Sequence, residues 1–380
     1  MTSRRVIGAI VYDLRASGVV RNLLRIARAA RSAGLDFELW PLRGQGEFLE
    51  EARECAPLNP ILADQTTAQR DWDSLRHQGA LAEAFKSRAP ALIFSAGNQM
   101  HWHVAKALGS LSDSKRPRSL ARASNAVVSQ GQSNWLIRKA IASQEALQYR
   151  AMDHVVAVSE ELREQIESGL GISADKLSVI PNGIDAARFA STSLQTPENE
   201  RPVILGIGRL SKQKDFATLI DALALISTQP KPILRILGRG SQAWMMRLRG
   251  HAEAKGVSER VELLGHVDNV AKHLAKADLF VSSSRWEGAS NVVLEALACG
   301  TPIVATKAPT GIAEVLAPLG EENLVPVGDA SALAQAMTRR LSLPRGSDAL
   351  TARAREFSLQ NTLDAYITLF EQQLSLVSSH

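Results

Sequence analysis

The stretch SRWEGASNVVLEALACGTP, residues 284–302, runs from a polar loop into an apolar helix and contains two acidic residues eight positions apart. Glu287 lies in the loop, and Glu295 lies inside a helix that we expect to begin near Ser290. Small residues before that helix leave its first backbone N–H groups accessible to a phosphate. Glu295 has apolar neighbours, and burying an unpaired carboxylate is costly, so it needs a partner: a ribose diol or a buried cation. Glu287 is either a ligand-binding carboxylate or a solvated loop residue.

Short apolar strands alternate with helices on both sides of this stretch. The first series includes the predicted strands Val6–Tyr12 and Val127–Val128, and a second series begins at Val203–Ile207, after a polar segment over residues 184–201. Such alternation is typical of parallel sheets joined by right-handed crossovers. We therefore expect an α/β protein with two Rossmann-like, doubly wound domains, residues 1–183 and 184–356, followed by an amphipathic helix at Leu359–Leu374.

The composition excludes several classes of protein. The 380 residues suit two domains, and the two cysteines argue against a disulfide framework or a cysteine-rich zinc site. The net charge is +5, but no basic run with interleaved aromatic residues indicates nucleic-acid binding. No apolar run is long enough to span a membrane, and the first residues do not resemble a signal peptide, so we expect a cytoplasmic protein. Arg21, Arg25 and Arg28 share a helical face, which is either solvated or docks on an anionic membrane.

Three further strand-to-helix turns contain unusual residues, and ligands of doubly wound sheets bind beyond the carboxyl ends of the strands. The turn at residues 206–215 combines Gly208 with two cations, Arg209 and Lys214, which could neutralise a diphosphate or be solvated. The turn at residues 238–241 begins with Gly238, which permits close approach of a ligand. The segment at residues 180–185 contains Asn-Gly, which predicts a sharp bend.

In their order along the chain, these segments resemble the family 4 retaining glycosyltransferases, which have the GT-B fold. The resemblance covers most of the chain. It is strongest in the two-glutamate motif, EX7E, with its Cys-Gly-Thr-Pro-Ile-Val continuation, and looser in the N-terminal half. It implies that the two Rossmann-like domains enclose a cleft in which the donor binds. It also implies that the final helix, residues 357–380, packs back on the N-terminal domain.

The resemblance implies roles for individual residues. Arg209 and Lys214 match the basic pair that holds the donor diphosphate and stabilises the departing nucleotide. Glu287 matches the residue that contacts the donor sugar, and with the basic pair it forms the catalytic set. Glu295 matches the residue that holds the ribose hydroxyls. His266 and Val267 match the pair that borders the nucleobase. The other positions that match donor-binding residues are Gly18, Gly208, Gly238, Gly288, Ala289, Ser290, Asn291 and Val292.

One departure from the family concerns a histidine that points at the donor sugar in many relatives. Here the corresponding stretch reads Arg122-Ala123-Ser124-Asn125. Asn125 could hydrogen-bond a sugar hydroxyl but could not transfer a proton. His101 and His103 follow the preceding strand, and they either contact the sugar or acceptor in its place or have a structural role.

The sequence thus predicts a hexosyltransferase that moves a sugar, with retention, from a nucleoside-diphosphate sugar to a lipid-linked or cell-surface polysaccharide acceptor. A UDP-sugar is the favoured donor, and the resemblance implies no cofactor and no metal. The expected location is cytoplasmic, peripheral on the inner face of the membrane, with an anionic membrane surface as a partner and no nucleic acid. Two alternatives remain open: a non-catalytic, nucleotide-binding subunit and a sugar-nucleotide epimerase of the same fold.

Overall fold

The structure is a computed structural model, and it describes residues 5–62, 74–126, 135–190 and 199–377. The chain forms two compact units. The first, unit 1, comprises Met1–Asn182 and Gln360–His380, and the second, unit 2, comprises Gly183–Leu359. Among the described residues, no helix has both the length and the apolar character needed to cross a membrane.

Strands and helices alternate through both units. In the described ranges the strands are β1 (Ile7–Val11), β2 (Phe37–Pro41), β3 (Leu92–Ser95), β4 (Arg118–Ala123), β5 (His154–Ala157), β6 (Leu177–Val179), β7 (Val203–Ile207), β8 (Ile233–Leu237), β9 (Val261–Gly265), β10 (Leu279–Ser282), β11 (Ile303–Thr306) and β12 (Leu324–Val325). The α-helices are α1 (Gly18–Ser32), α2 (Leu49–Cys55), α3 (Ser74–Arg88), α4 (Asn98–Gly109), α5 (Trp135–Arg150), α6 (Glu160–Leu170), α7 (Ala186–Ala190), α8 (Phe216–Leu225), α9 (Gln242–Ala254), α10 (Val270–Lys276), α11 (Asn291–Ala298), α12 (Ile312–Leu316), α13 (Ala330–Leu341), α14 (Ser347–Arg355) and α15 (Leu359–Val377).

Unit 1 contains a six-stranded parallel sheet in the order β2-β1-β3-β4-β5-β6. Every residue of β1 and β3 is buried, because helices cover both faces of the sheet. The strands therefore read as continuous apolar runs and do not alternate between polar and apolar residues. The strand order reverses between β1 and β3, so the loops after these two strands flank the position at which doubly wound sheets bind ligands.

Unit 2 also contains a six-stranded parallel sheet, in the order β12-β11-β10-β7-β8-β9. Read from β9, the strands of this unit come third, second, first, fourth, fifth and sixth, which is the strand order of nucleotide-binding Rossmann sheets. The order reverses between β7 and β10. Both strands are wholly buried, and the loops that follow them are adjacent. The predicted fold class is confirmed.

The last helix, α15, belongs to the core of unit 1. Phe370 packs against Phe94 with ring centroids 5.3 Å apart, and Tyr366 packs against Phe94 at 5.9 Å. The hydroxyl of Tyr366 accepts a hydrogen bond from Nε of the buried Arg122, at 3.1 Å. These contacts bury the apolar face of α15 against the sheet of unit 1.

The fourth strand of unit 1 differs from the sequence prediction. The predicted strand Val127–Val128 lies outside the described residues, and the fourth strand is β4. Its sequence, RSLARA, contains two arginines and no β-branched residue, so its composition does not predict a strand. Burial of Arg122 is possible because its guanidinium also donates to Oδ1 of Asn182, at 2.6 Å.

Candidate active site

Two adjacent loops at the switch point of unit 2 contain all three predicted catalytic residues. The loop after β7 contains Lys214, and the loop after β10 contains Glu287. The loops are hydrogen-bonded to each other: Arg285 N–H donates to the carbonyl of Gln213 at 2.8 Å, and Ser283 Oγ donates to the carbonyl of Lys214 at 2.8 Å. The chain therefore brings together a cation and an acid that are 73 positions apart in the sequence.

A buried ion pair lies at the centre of these loops. Nζ of Lys214 contacts Oε1 of Glu287, and the two side chains are only 17% and 7% exposed. The hydroxyl of Ser284 donates to the same carboxylate oxygen at 2.5 Å. A buried carboxylate is tolerated only when it is paired and hydrogen-bonded, and both conditions are met here.

Glycines at the carboxyl ends of β7 and β8 bring three loops together by their backbones. The N–H of Gly208 donates to Leu237 O at 2.9 Å, and the N–H of Gly238 donates to Gly265 O at 2.7 Å. A Cβ added to Gly238 would lie 1.9 Å from the carbonyl oxygen of Gly208, so no side chain is possible there. A Cβ on Gly208 would lie 2.7 Å from Cε of Lys214, so the lysine side chain passes directly over this glycine.

Helix α11 begins beside the ion pair. Ser290 is its N-cap and makes no side-chain hydrogen bond to the first turn. Gly288 is buried, whereas Ala289, Ser290, Asn291 and Val292 are half-buried at the start of the helix. Glu295 lies further along α11 and is 7% exposed, as expected for a carboxylate in an apolar helix. The polar loop, helix start and buried acid predicted for residues 284–302 are all present.

The other predicted donor-binding residues of unit 2 lie at the same edge of the sheet. Arg209 is exposed in the loop after β7. His266 directly follows β9, is exposed, and lies 3.8 Å from Asp268. Val267 is half-buried against the apolar core. Their roles in donor binding stay predictions.

His101 of unit 1 has a structural environment. It is fully buried, its Nε2 lies 3.2 Å from the carbonyl of Arg122, and its Nδ1 lies 2.7 Å from Oγ of Ser95. Because a carbonyl only accepts, Nε2 carries the proton and Nδ1 accepts from the serine. Burial lowers the pKa of His101 to about 4, so the ring is neutral at physiological pH. Both ring nitrogens are engaged, which does not support a contact between His101 and a sugar.

The remaining predicted residues of unit 1 lie near the strand-order reversal of its sheet. Gly18 is the first residue of α1, after the N-cap Ser17. Asn125 is half-buried after β4. His103 lies on α4, half-buried, with its ring centroid 5.5 Å from that of His77.

Unit 1 also contains a groove of about 490 Å³ beside its edge strand β2. Arg43 and Arg53 line it together with apolar side chains, among them Leu49, Leu58 and Leu62. Arg43 follows the carboxyl end of β2, and its guanidinium lies over the ring of Tyr12, 5.8 Å from the centroid. The groove thus combines two guanidinium groups with an apolar surface, and that of Arg53 also bonds to Glu50 at 2.6 Å.

Sequence reasoning did not identify Ser284 or Thr310. Thr310, in the loop between β11 and α12, donates from its hydroxyl to the carbonyl of Glu287. A serine and a threonine in loops are too common to indicate a role by themselves. The one available signal was their place in loops at the carboxyl edge of the sheet.

Known protein families match both units of the chain. Residues 16–188 match the family model described as Glycosyltransferase Family 4, and residues 201–342 match the model described as Glycosyl transferases group 1. The two Rossmann-like units give the chain the GT-B fold, which it shares with solved glycosyltransferase structures. The chain belongs to family 4 of the glycosyltransferases.

Several named proteins are similar to this chain. The N-acetylgalactosamine-N,N'-diacetylbacillosaminyl-diphospho-undecaprenol 4-alpha-N-acetylgalactosaminyltransferase of Campylobacter jejuni is 33% identical over 182 residues, 48% of each chain. The lipopolysaccharide core biosynthesis glycosyltransferase LpsE of Rhizobium meliloti is 33% identical over 58% of this chain and 65% of its own length. These matches therefore span between about half and two thirds of those relatives.

Solved structures share the fold over almost the whole chain. The sucrose-phosphate synthase of Thermosynechococcus elongatus superposes with a TM-score of 0.81 at 21% identity, over 98% of this chain and 100% of that one. Anabaena HepE in complex with UDP and glucose superposes with a TM-score of 0.78 at 20% identity, over 97% and 100%. At these identities the likeness concerns the fold alone.

Proposed function

We propose that this chain is a retaining hexosyltransferase that moves a sugar from a nucleoside-diphosphate sugar to a glycan or lipid-linked acceptor. The buried Lys214–Glu287 pair at the switch point of unit 2 is the main support for this proposal. A purely structural ion pair does not need glycines beside it, such as Gly208 and Gly238, nor a second buried acid, Glu295, in the next helix. A sugar diphosphate requires all three: a cation for phosphate, a close-approach surface and carboxylates for hydroxyl groups.

Donor binding would redistribute the hydrogen bonds of Lys214. In the structure its ammonium group is bonded to Glu287, and a diphosphate placed over Gly208 would compete for it. Arg209, exposed in the same loop, would supply a second positive charge. Glu287 would then be available to accept hydrogen bonds from the sugar, while Glu295 would hold the ribose hydroxyls.

Charge stabilisation would be the main catalytic task. When the bond between the anomeric carbon and the phosphate oxygen breaks, negative charge builds up on the diphosphate. Arg209 and Lys214 would stabilise that charge, and the loss of one such donor typically costs a factor of about 10²–10³ in rate. We propose that these two cations are sufficient without a metal. The acceptor hydroxyl would approach on the face that the phosphate leaves, which retains the anomeric configuration.

The acceptor is proposed to be lipid-linked or part of a surface polysaccharide. The Campylobacter jejuni relative is named for a diphospho-undecaprenol substrate, and LpsE is named for lipopolysaccharide core biosynthesis. The groove beside β2 fits this class, because it combines Arg43 and Arg53 with apolar side chains. UDP is the proposed donor nucleotide, since it is the nucleotide named in the HepE complexes.

We also propose that the protein acts at the inner surface of an anionic membrane, where such acceptors are available. The basic face of α1 supports this location only in part. Arg28 lies 3.7 Å from Glu51, and Arg21 lies over the ring of Phe48 at 6.0 Å. Glu51 therefore offsets some of the positive charge on this face.

The test begins with thermal-shift measurements using UDP, GDP, ADP and CMP, alone and as sugar conjugates, followed by transfer assays with the donor so identified. A ligand at about 100 times its Kd stabilises the fold by about 2.7 kcal/mol. Lys214→Ala should lower transfer about 10²–10³-fold. Lys212→Ala is the matched control, because Lys212 is an exposed lysine of the same loop. Equal transfer rates in both variants would refute the role of Lys214.

A non-catalytic nucleotide-binding subunit is the second candidate. It is favoured by Asn125, which cannot transfer a proton, and by the buried, neutral state of His101. A protein of this kind would bind a nucleotide but release no sugar with any acceptor. An epimerase would convert the donor into an isomeric sugar nucleotide without any acceptor, which chromatography of the incubated donor would detect.

A further inference from the structure

We propose that Thr310 is a positioning residue, which holds the backbone of Glu287 so that its carboxylate meets the donor sugar. The inference deepens the proposed function and rests on it, because Glu287 affects transfer only if a sugar donor binds at this site. Thr310 itself would not touch the donor. It would act through Glu287, from the loop that joins β11 to α12.

Both main-chain groups of Glu287 are bonded to this loop. The hydroxyl of Thr310 donates to the carbonyl of Glu287, and the N–H of Glu287 donates to the carbonyl of Pro309 at 3.3 Å. On its other side, the carboxylate of Glu287 is held by Lys214 and Ser284. Glu287 is thus fixed at the backbone by the loop between β11 and α12, and at the side chain by Lys214 of the loop after β7 and by Ser284 of its own loop.

The backbone of Thr310 is strained. Its φ is +76°, in the left-handed region that favours glycine, and its side chain is fully buried. A β-branched residue in that region is an outlier, and such strain persists only where the surroundings compensate for it. A glycine here would avoid the strain, but it would lack the hydroxyl. The hydrogen bond to Glu287 is the compensation that the structure shows.

The neighbouring loop is held in a similar way. Asp215, directly after Lys214, has a φ of +44° and is 9% exposed. Its carboxylate contacts Nε of Arg285 at 2.9 Å, two residues before Glu287. Both described loops that contact the Glu287 segment therefore contain a non-glycine residue with positive φ bonded to that segment. Strained residues of this kind cluster where a ligand site must be rigid before the ligand arrives.

Three substitutions separate the hydroxyl from the shape and the strain. Thr310→Val keeps the shape and the strain but removes the donor. Thr310→Ser keeps the donor, and Thr310→Gly removes both the donor and the strain. Thr301→Val is the matched control, because Thr301 is also fully buried and donates from its hydroxyl to a backbone carbonyl, that of Leu274 at 2.8 Å.

We expect Thr310→Val and Thr310→Gly to lower kcat/KM for the sugar donor about tenfold or more, the factor that corresponds to one lost buried hydrogen bond. Thr310→Ser should stay within about twofold of the wild type, as should Thr301→Val. The affinity for the free nucleoside diphosphate, measured by calorimetry, should not change in any variant. Thr310→Gly should fold even if Thr310→Val does not, because it relieves the strain.

Wild-type kcat/KM in Thr310→Gly would overturn the proposal. A loss of nucleotide affinity in Thr310→Gly as large as its loss of kcat/KM would also overturn it. So would a loss of kcat/KM in Thr301→Val as large as that in Thr310→Val. Either result indicates general destabilisation of the protein. Hydrogen exchange of residues 285–289 gives a second readout that does not depend on activity. Exchange there should be faster in Thr310→Gly than in Thr310→Ser and Thr301→Val, and unchanged exchange refutes the inference. Absence of transfer by the wild type, with faster exchange in Thr310→Gly, would refute only the proposed function.

Discussion

The Lys214–Glu287 pair lends itself to a double-mutant cycle with Lys214→Met, Glu287→Gln and the combination of both. The Glu287 carboxylate is 7% exposed, and Lys214→Met removes its cation and leaves Ser284 as the side-chain donor that the structure shows. Breaking a buried pair costs about 3–5 kcal/mol, and the 17% exposure of Lys214 allows partial screening by water, so we expect about 2–3 kcal/mol. Glu287→Gln should cost only about 1 kcal/mol, because the flexible lysine can turn towards solvent.

The double variant should be about as stable as Glu287→Gln alone, since replacing both members of a buried pair is often nearly neutral. The coupling free energy then equals the cost of Lys214→Met, about 2–3 kcal/mol. Urea-dependent hydrogen exchange of the β10 amides measures the stability of unit 2 separately from that of unit 1. Lys212→Met is the control and should change stability by less than about 0.5 kcal/mol. Additive effects of the two single substitutions would show that the pair contributes nothing to stability.

Three further predictions concern both units. Glu295→Ala should weaken nucleotide binding, whereas Glu287→Gln should spare the free nucleotide and cripple transfer; equal nucleotide affinity of Glu295→Ala and wild type in calorimetry rules out the ribose role. Burial lowers the pKa of His101 from 6.5 to about 4, so the unfolded chain takes up a proton first as the pH falls. The stability that the neutral His101 contributes is complete above pH ~6.5 and declines towards pH ~4, by about 3 kcal/mol in total. His101→Asn should lose this dependence on pH when its stability is measured by urea titration at pH ~7 and pH ~4.5. Arg43→Gln should raise the KM for a diphosphate-linked acceptor about tenfold without changing the slow hydrolysis of the donor, and an unchanged KM excludes the groove as the acceptor site.

The strand order of unit 2 explains how much of the candidate site could be predicted. Residues 208–215 and 284–295 have local signals: glycines, cations and two acids, all directly after apolar strands. A parallel sheet has the carboxyl ends of all its strands at one edge. Residues that directly follow its strands can therefore be predicted to lie close together without any knowledge of long-range contacts. For this reason the sequence could indicate that Lys214 and Glu287 belong to one site, but it did not predict the ion pair between them.

Other features depend on contacts that no local pattern records. β4 can contain the buried Arg122 because the guanidinium bonds to the hydroxyl of Tyr366, 244 positions away, and to the side chain of Asn182, 60 positions away. The sequence left open whether His101 contacts the sugar or has a structural role, and its hydrogen bonds to Ser95 and the Arg122 carbonyl show the structural role. The backbone angle of Thr310 is equally invisible, because threonine is a residue that ordinarily avoids positive φ.

The place of α15 in the core of unit 1 affects how the protein can be made. Residues 5–182 emerge from the ribosome first, yet the apolar surface that Tyr366 and Phe370 cover stays open until residues 360–377 are synthesised. At a translation rate of about 5–20 residues per second, roughly ten seconds or more pass between the synthesis of residue 182 and that of α15. During this time the apolar surface of unit 1 that α15 covers stays exposed. Unit 2, whose residues are contiguous, can finish folding first. A chain truncated before residue 360 would therefore leave unit 1 without a helix of its core, although the rest of that unit was translated earliest.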